Sequence, residues 1–202
     1  MNLQKIIKKR CSTRNYVKKH VRKIDLLKIL DAGIWGPSLS GLQPYFFVIV
    51  VNKKIKNMIC DSLEKKLKRL GVVGRAIFVP VTLTALKSCD VLIAIYNSGR
   101  FKSMIKKFSN YVTKVEDNEY LKLAEQAEIS ACSAAVQNMI LMAESLGLGT
   151  CWLHVPLFCN SKINKLLGMN NKLVACLTIG YSAEETKRSP RLASAEIIKL
   201  IT

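Results

Sequence analysis

Three short polar clusters in this 202-residue chain carry the side chains best suited to binding chemistry. The first, Arg10-Cys-Ser-Thr-Arg14, sets two guanidiniums around a hydroxyl. If extended, Arg10, Ser12 and Arg14 share one side of the backbone at a period of two. Arginine donates through a planar fork that matches phosphate oxygens, so this arrangement makes a phosphate cradle. A solvated basic helix end has the same composition. The second, Gly36-Pro-Ser-Leu-Ser-Gly-Leu-Gln-Pro44, offers backbone amides and serine hydroxyls to the polar edge of a planar ligand. An ordinary connecting loop is built from the same residues. The third, Arg188-Ser-Pro-Arg191, is a second cationic pair late in the chain.

Most other chemistries lack their parts. The two histidines, His20 and His154, stand far apart, and the serines near Gly36 miss the G-x-S-x-G register of a nucleophile elbow. There is no Walker loop. Gly147-Leu-Gly149 runs into Thr-Cys-Trp and follows a helical pattern, so it is not a dinucleotide fingerprint. The seven cysteines are scattered without metal-ligand spacing, which predicts no metal site. They read as reduced thiols, mostly small core residues, in a cytoplasmic protein. Met1–Arg10 is basic and amphipathic, unlike a signal peptide. The greasiest runs are of strand length, so no membrane span is expected. Thirty-two Lys and Arg against fourteen Asp and Glu leave +18, a balance that suits a polyanionic partner. The excess is lysine spread from Lys5 to Lys199, and no nucleic-acid-binding motif is legible. A lysine-rich solvated surface is the preferred reading, with nucleic acid the lesser one.

The elements that must position these clusters read as one domain over residues 1–202, without repeats or linkers. Asn2–Lys9 predicts a short helix with Leu3, Ile6 and Ile7 inward. A second helix follows Asp25, taken as its N-cap, and stops at Gly36–Pro37. Tyr45–Val51 and Asp90–Tyr96 predict buried strands, Lys54–Leu70 a basic helix, and Gly71–Ser88 a loop. Asn97–Asn118 reads as a lid or insertion. Tyr120–Leu146 is a long helix closed by Gly147–Leu148, with small residues at Ser130–Ala135 that let another helix approach, from its own domain or from a second subunit. Gly149–Leu153 and Leu173–Tyr181 complete four strands in an α+β order. The tail Arg191–Thr202 carries Ile197, Ile198, Leu200 and Ile201 and must cover something apolar.

Taken together the clusters resemble the nitroreductase family of flavoproteins. Arg10, Ser12 and Arg14 match its opening arginine–serine–arginine pattern, and Pro37, Ser38, Gln43 and Pro44 its proline–serine…glutamine–proline motif. Ala135-Val-Gln-Asn138 through Gly147-Leu-Gly-Thr-Cys-Trp152 resembles its central helix and next strand, and Gly180-Tyr181 with Arg188 and Arg191 its closing segment. The resemblance implies a three-layer α+β fold, a mainly antiparallel sheet flanked by helices, in a homodimer that exchanges C-terminal tails. It implies FMN as cofactor, with Arg10, Cys11, Ser12 and Arg14 at the ribityl phosphate and Arg188 or Arg191 completing the shell. Pro37, Ser38 and Leu39 would approach the flavin of the opposite subunit, and backbone near Leu153 and His154 the isoalloxazine. The implied activity is an FMN-dependent oxidoreductase moving a hydride from NAD(P)H to a nitroaromatic, quinone or similar acceptor, without a required acid–base side chain.

Two departures bear on substrate choice. Gly41 stands where the family usually has asparagine, and Leu153-His154-Val155-Pro156 is bulkier than the family's common small residues. His154 is expected to be structural rather than a donor to flavin or substrate. Two other readings stay open: a flavin-binding protein for storage without turnover, and a basic polyanion-binding module.

Overall fold

The N-terminal helix forms because Asn2 caps it, its side chain accepting from the Lys5 N–H at 3.2 Å. In the computed structural model, which describes residues 2–69, 79–109, 118–185 and 188–201, this is α1 (Leu3–Lys9). Only Ile6 of the three expected inward residues is buried; Leu3 and Ile7 are exposed, because a helix of two turns on the rim offers one narrow stripe to the protein.

Helix α2 (Lys23–Ile34) begins two residues before Asp25, so Asp25 is not its N-cap. The carboxylate instead lies buried in the first turn and takes both Nε and Nη2 of Arg22, at 2.7 and 3.0 Å. An acidic side chain in the first turn serves the helix dipole as a cap would, which is why the residue type misled. Strand β1 (Tyr45–Val50) and helix α3 (Lys53–Arg69) follow, the latter capped by Asn52 through Lys54 and Ile55.

Part of the expected 71–88 loop is helix α4 (Val79–Ser88), with Pro80 in the first turn, where its missing N–H costs nothing. The rest, 71–78, lies outside the described residues. Strand β2 (Val91–Asn97) is buried along its whole length. The expected lid or insertion is in part helix α5 (Arg100–Ser109); 110–117 lie outside the described residues. Helix α6 (Asn118–Ser145) is followed by strand β3 (Gly149–Leu153), a 3-10 turn (Val155–Cys159), helix α7 (Asn160–Leu167), strand β4 (Lys172–Gly180) and a single turn α8 (Ser194–Ile197). The glycine stop after α6 is a Schellman closure: Leu148 N–H reaches the Ala143 carbonyl at 2.9 Å and Gly147 N–H that of Glu144 at 3.1 Å.

The strands form one antiparallel sheet in the order β1-β2-β4-β3. One face packs on α3, α4, the 3-10 turn and α7 through Ile59, Leu63, Leu86, Leu92, Tyr96 and Ile163. The other packs on α2 and α6 through Ile29, Ile93, Ile95, Val136, Met139 and Leu177. This is the three-layer α+β architecture. The small residues of α6 serve packing within the chain: a Cβ on Gly36 would meet the Ala135 backbone at 2.8 Å. Six of the seven cysteines are buried, with Cys11 partly exposed. Among the described residues no helix is long and apolar enough to cross a membrane.

Candidate functional site

The chain leaves α1 extended, because Arg10 closes the helix and residues 12–17 then pair as an added strand. Ser12 bridges Thr150, Thr13 N–H donates to the Thr150 carbonyl at 2.8 Å, and Val17 N–H to that of Tyr181 at 3.0 Å. Tyr16 anchors the segment from below. Its hydroxyl donates to the Thr13 carbonyl at 2.7 Å and lies 2.8 Å from Thr178 Oγ1, and burial pushes its ionisation far up. This close approach needs two glycines: a Cβ on Gly149 would fall 2.7 Å from Thr13 Cβ, and one on Gly180 2.8 Å from the Tyr16 ring.

Thr13 and Tyr16 are buried, Arg10 and Ser12 are half-buried, and Arg14 is exposed. The two guanidiniums reach one neighbourhood. Burial pushes the Cys151 thiol up, and Arg14 and Arg10 both pull it back. Neither arginine has an acidic partner among the described residues, and Arg14 makes only a long 3.5 Å contact to the Ser12 carbonyl. A hydroxyl between two unpaired guanidiniums on a fixed strand fits the donor set of a phosphate monoester.

Arg188 stands beside the same segment. It lines a cavity of about 330 Å³ with Lys9, Thr13, Glu144, Ser182 and Glu184, reached from the Thr13 side of the segment. Arg191 is exposed, with no contact among the described residues. Leu153 turns its side chain into the core, while His154 is exposed, its ring 5.5 Å from that of Trp152 and tilted 31°. The expected structural role for His154 therefore lacks burial.

The Gly36–Pro44 loop is built tightly from its own polar groups. The Tyr45 hydroxyl donates to the Ile34 and Gly36 carbonyls at 2.6 and 3.3 Å, and Gln43 N–H donates to Ser38 Oγ at 3.0 Å. Ser40, Gly41 and Gln43 all take positive φ. Pro37 and Leu39 stay exposed at the tip. Sequence reasoning missed the outer clamp. Arg100 Nη1 donates to the Leu42 and Gln43 carbonyls, both at 3.2 Å. Glu128, buried in α6, accepts from Asn97 Nδ2 at 2.9 Å and from the Phe101 and Lys102 N–H groups at 2.7 and 3.2 Å. Glu128 stands among Glu125, Gln126 and Ser130, so nothing in the local sequence singled it out.

The loop leads into edge strand β1, whereas Arg10–Arg14 lie on the outer side of β3, four strand spacings away, or roughly 19 Å. Within one chain the two clusters are not brought together.

The antiparallel sheet ordered β1-β2-β4-β3 thus lies between two helical layers, edged by an Arg-x-Ser-x-Arg strand. The description "Nitroreductase family" matches residues 7–181, and the chain belongs to that family. A Staphylococcus haemolyticus protein provisionally named an NAD(P)H nitroreductase is 24% identical over 201 residues, covering 91% of this chain and 89% of its own. A BluB-like flavoprotein from Clostridium difficile superposes with a TM-score of 0.80 at 23% identity, covering 100% of both chains. A provisionally named nitroreductase from Desulfovibrio desulfuricans, solved in complex with FMN, gives 0.70 at 21% identity over 100% of this chain and 98% of that one.

Proposed function

We propose that the chain is an FMN-dependent NAD(P)H oxidoreductase working as a homodimer, a single FMN-binding unit over residues 1–202. The observation that carries it is the pair of unpaired guanidiniums, Arg10 and Arg14, held with Ser12 on a strand fixed by Tyr16 and Gly149. FMN, when bound, supplies hydride transfer at N5 between NAD(P)H and an acceptor such as a nitroaromatic or quinone. The chain's own work is to bind and orient. Arg10, Ser12 and Arg14 hold the phosphate, with Cys11 between them, and backbone at Leu153 and His154 borders the ring system. Arg188 or Arg191 completes that shell, a reading supported by Arg188 lining a cavity with Thr13 and Lys9.

Pro37, Ser38 and Leu39 complete the pocket of the opposite subunit, a reading supported by their place on the far sheet edge. The same dimer accounts for apolar surface the single chain leaves open. Leu192, Ile197, Ile198, Leu200 and Ile201 of the tail are all exposed, as are Phe46, Ile49 and Val51 at β1. Tail exchange would cover such surface on the partner. The free cysteines fit a reducing, cytoplasmic setting.

The test is the absorbance spectrum of the protein after loading with FMN and removing the excess. Flavin bands near one equivalent per chain, with FMN affinity reduced at least tenfold in an Arg10→Ala/Arg14→Ala variant, are expected from the loss of roughly two charge-assisted contacts. A colourless wild-type protein sinks the assignment.

A further inference from the structure

A second anion site lies between the C-terminal half of α3 and the start of α7. Ser62, Lys65, Lys66, Arg69, Ser161 and Lys162 line a cavity of about 450 Å³, together with Phe158 and Cys159. Its lining has four cations and no carboxylate, unlike the Arg188 cavity with its three glutamates. None of the four cations has an acidic partner among the described residues. Basic residues in the last turn of α3 offset that helix's dipole, so Lys66 and Arg69 alone would be unremarked. Lys162 is different. It stands in the first turn of α7, where the dipole disfavours a cation, and no side chain caps that helix end. Three further cations face the same space. Lys66 is close enough to pull down the Cys159 thiol, which burial pushes up, and Cys159 Sγ lies 3.4 Å from the Ser62 carbonyl, tying the two walls together. Such a concentration of positive charge beside open helix amides is locally unfavourable until an anion enters it.

We infer that this cavity takes the adenosine 2′-phosphate of the dinucleotide donor, the one group NADH lacks, and so selects NADPH over NADH, an inference that rests on the flavin reading above. Position supports that occupant. The 3-10 turn Val155–Cys159 leads from His154, beside the proposed ring site, to the cavity, about 10 Å at its rise per residue. A nicotinamide at the ring would therefore carry its phosphates toward Lys66 and Lys162. Phe158, with its ring 54% exposed at the cavity rim, offers a stacking face to the adenine.

The test titrates FMN-loaded protein with 2′,5′-ADP by calorimetry and measures KM for NADPH and NADH with a quinone acceptor. In Lys66→Ala/Arg69→Ala and in Lys162→Glu, 2′,5′-ADP affinity is expected to fall about tenfold and KM for NADPH to rise as much, with KM for NADH rising less than threefold. Lys23→Ala/Lys28→Ala, which removes equal charge from α2, should leave all three values unchanged. Unchanged 2′,5′-ADP binding in the cavity variants, with flavin bands intact, overturns the inference alone. Wild-type protein without flavin bands overturns the flavin reading, and the inference with it.

Discussion

Replacing Gly149 by alanine should disturb the phosphate strand without touching a charged residue. The new methyl carbon would sit 2.7 Å from Thr13 Cβ and 2.8 Å from its Cγ2, well inside contact distance. Thr13 is buried and bound through its N–H to the Thr150 carbonyl, so it cannot swing away; the 12–17 segment must lift from β3. Overpacking of this kind costs about 1–3 kcal/mol. For a chain of this size that lowers the midpoint by roughly 2–10 °C. The same displacement carries Arg10, Ser12 and Arg14, so FMN affinity should fall in parallel. Thermal melts followed by circular dichroism, with FMN fluorescence titration, read both effects. Thr13→Gly in the Gly149→Ala background removes the opposing side chain and should recover most of the flavin affinity. A Gly149→Ala protein that melts within 1 °C of wild type and binds FMN equally would refute the account of how this strand is held.

Glu128→Ala leaves Asn97 and two first-turn N–H groups of α5 without their acceptor, a loss of about 2–4 kcal/mol. Hydrogen exchange should show faster opening at Phe101 and Lys102, and equal protection there would count against the clamp. The cysteines set an alkaline limit. Burial pushes the Cys60 thiol to about 11 and those of Cys89, Cys132 and Cys176 to about 12. Unfolded thiols ionise near 9, so the folded state retains more protons above that pH and stability falls as pH rises from about 9 toward 12. A denaturant midpoint that stays level between pH 8.5 and 10.5 would contradict this. In native protein at pH 8 a thiol reagent should titrate Cys11 quickly and the six buried thiols only after unfolding.

The parts of the fold legible in the sequence were those whose signal is local. β1 and β2 announced themselves by unbroken β-branched and aromatic runs, and the end of α6 by Gly147 before Leu148. Helix α4 was hidden because Val-Pro-Val-Thr-Leu-Thr carries poor helix formers, and packing against α3 overrides them. Helix α5 was readable: Phe101, Met104, Ile105 and Phe108 fall at helical spacing, a pattern obscured by its short length. In the site, the arginine–serine–arginine strand was visible because its period is two. Arg100 and Glu128 were not, since each acts on backbone groups dozens of residues away in the chain. The place of Arg188 beside Lys9 and Thr13 depends on where a later segment crosses the first strand, which no local pattern encodes.

The strand order also governs when this protein can fold during its synthesis. β2 emerges early but needs β4, about eighty residues later, as its second neighbour, and β3 has no ladder until β4 arrives. The N-terminal strand waits longest: Tyr16 finds Thr178, and Val17 and Asn15 find Tyr181 and Ala183, only after β4 and the residues just past it have been made. Until then Arg10 and Arg14 have no strand to lie on. Long-range closure of this kind slows folding and lengthens exposure of the apolar β1 and β2 segments. The strand that carries Arg10 and Arg14 is thus completed only after β4 and the residues just beyond it have been made.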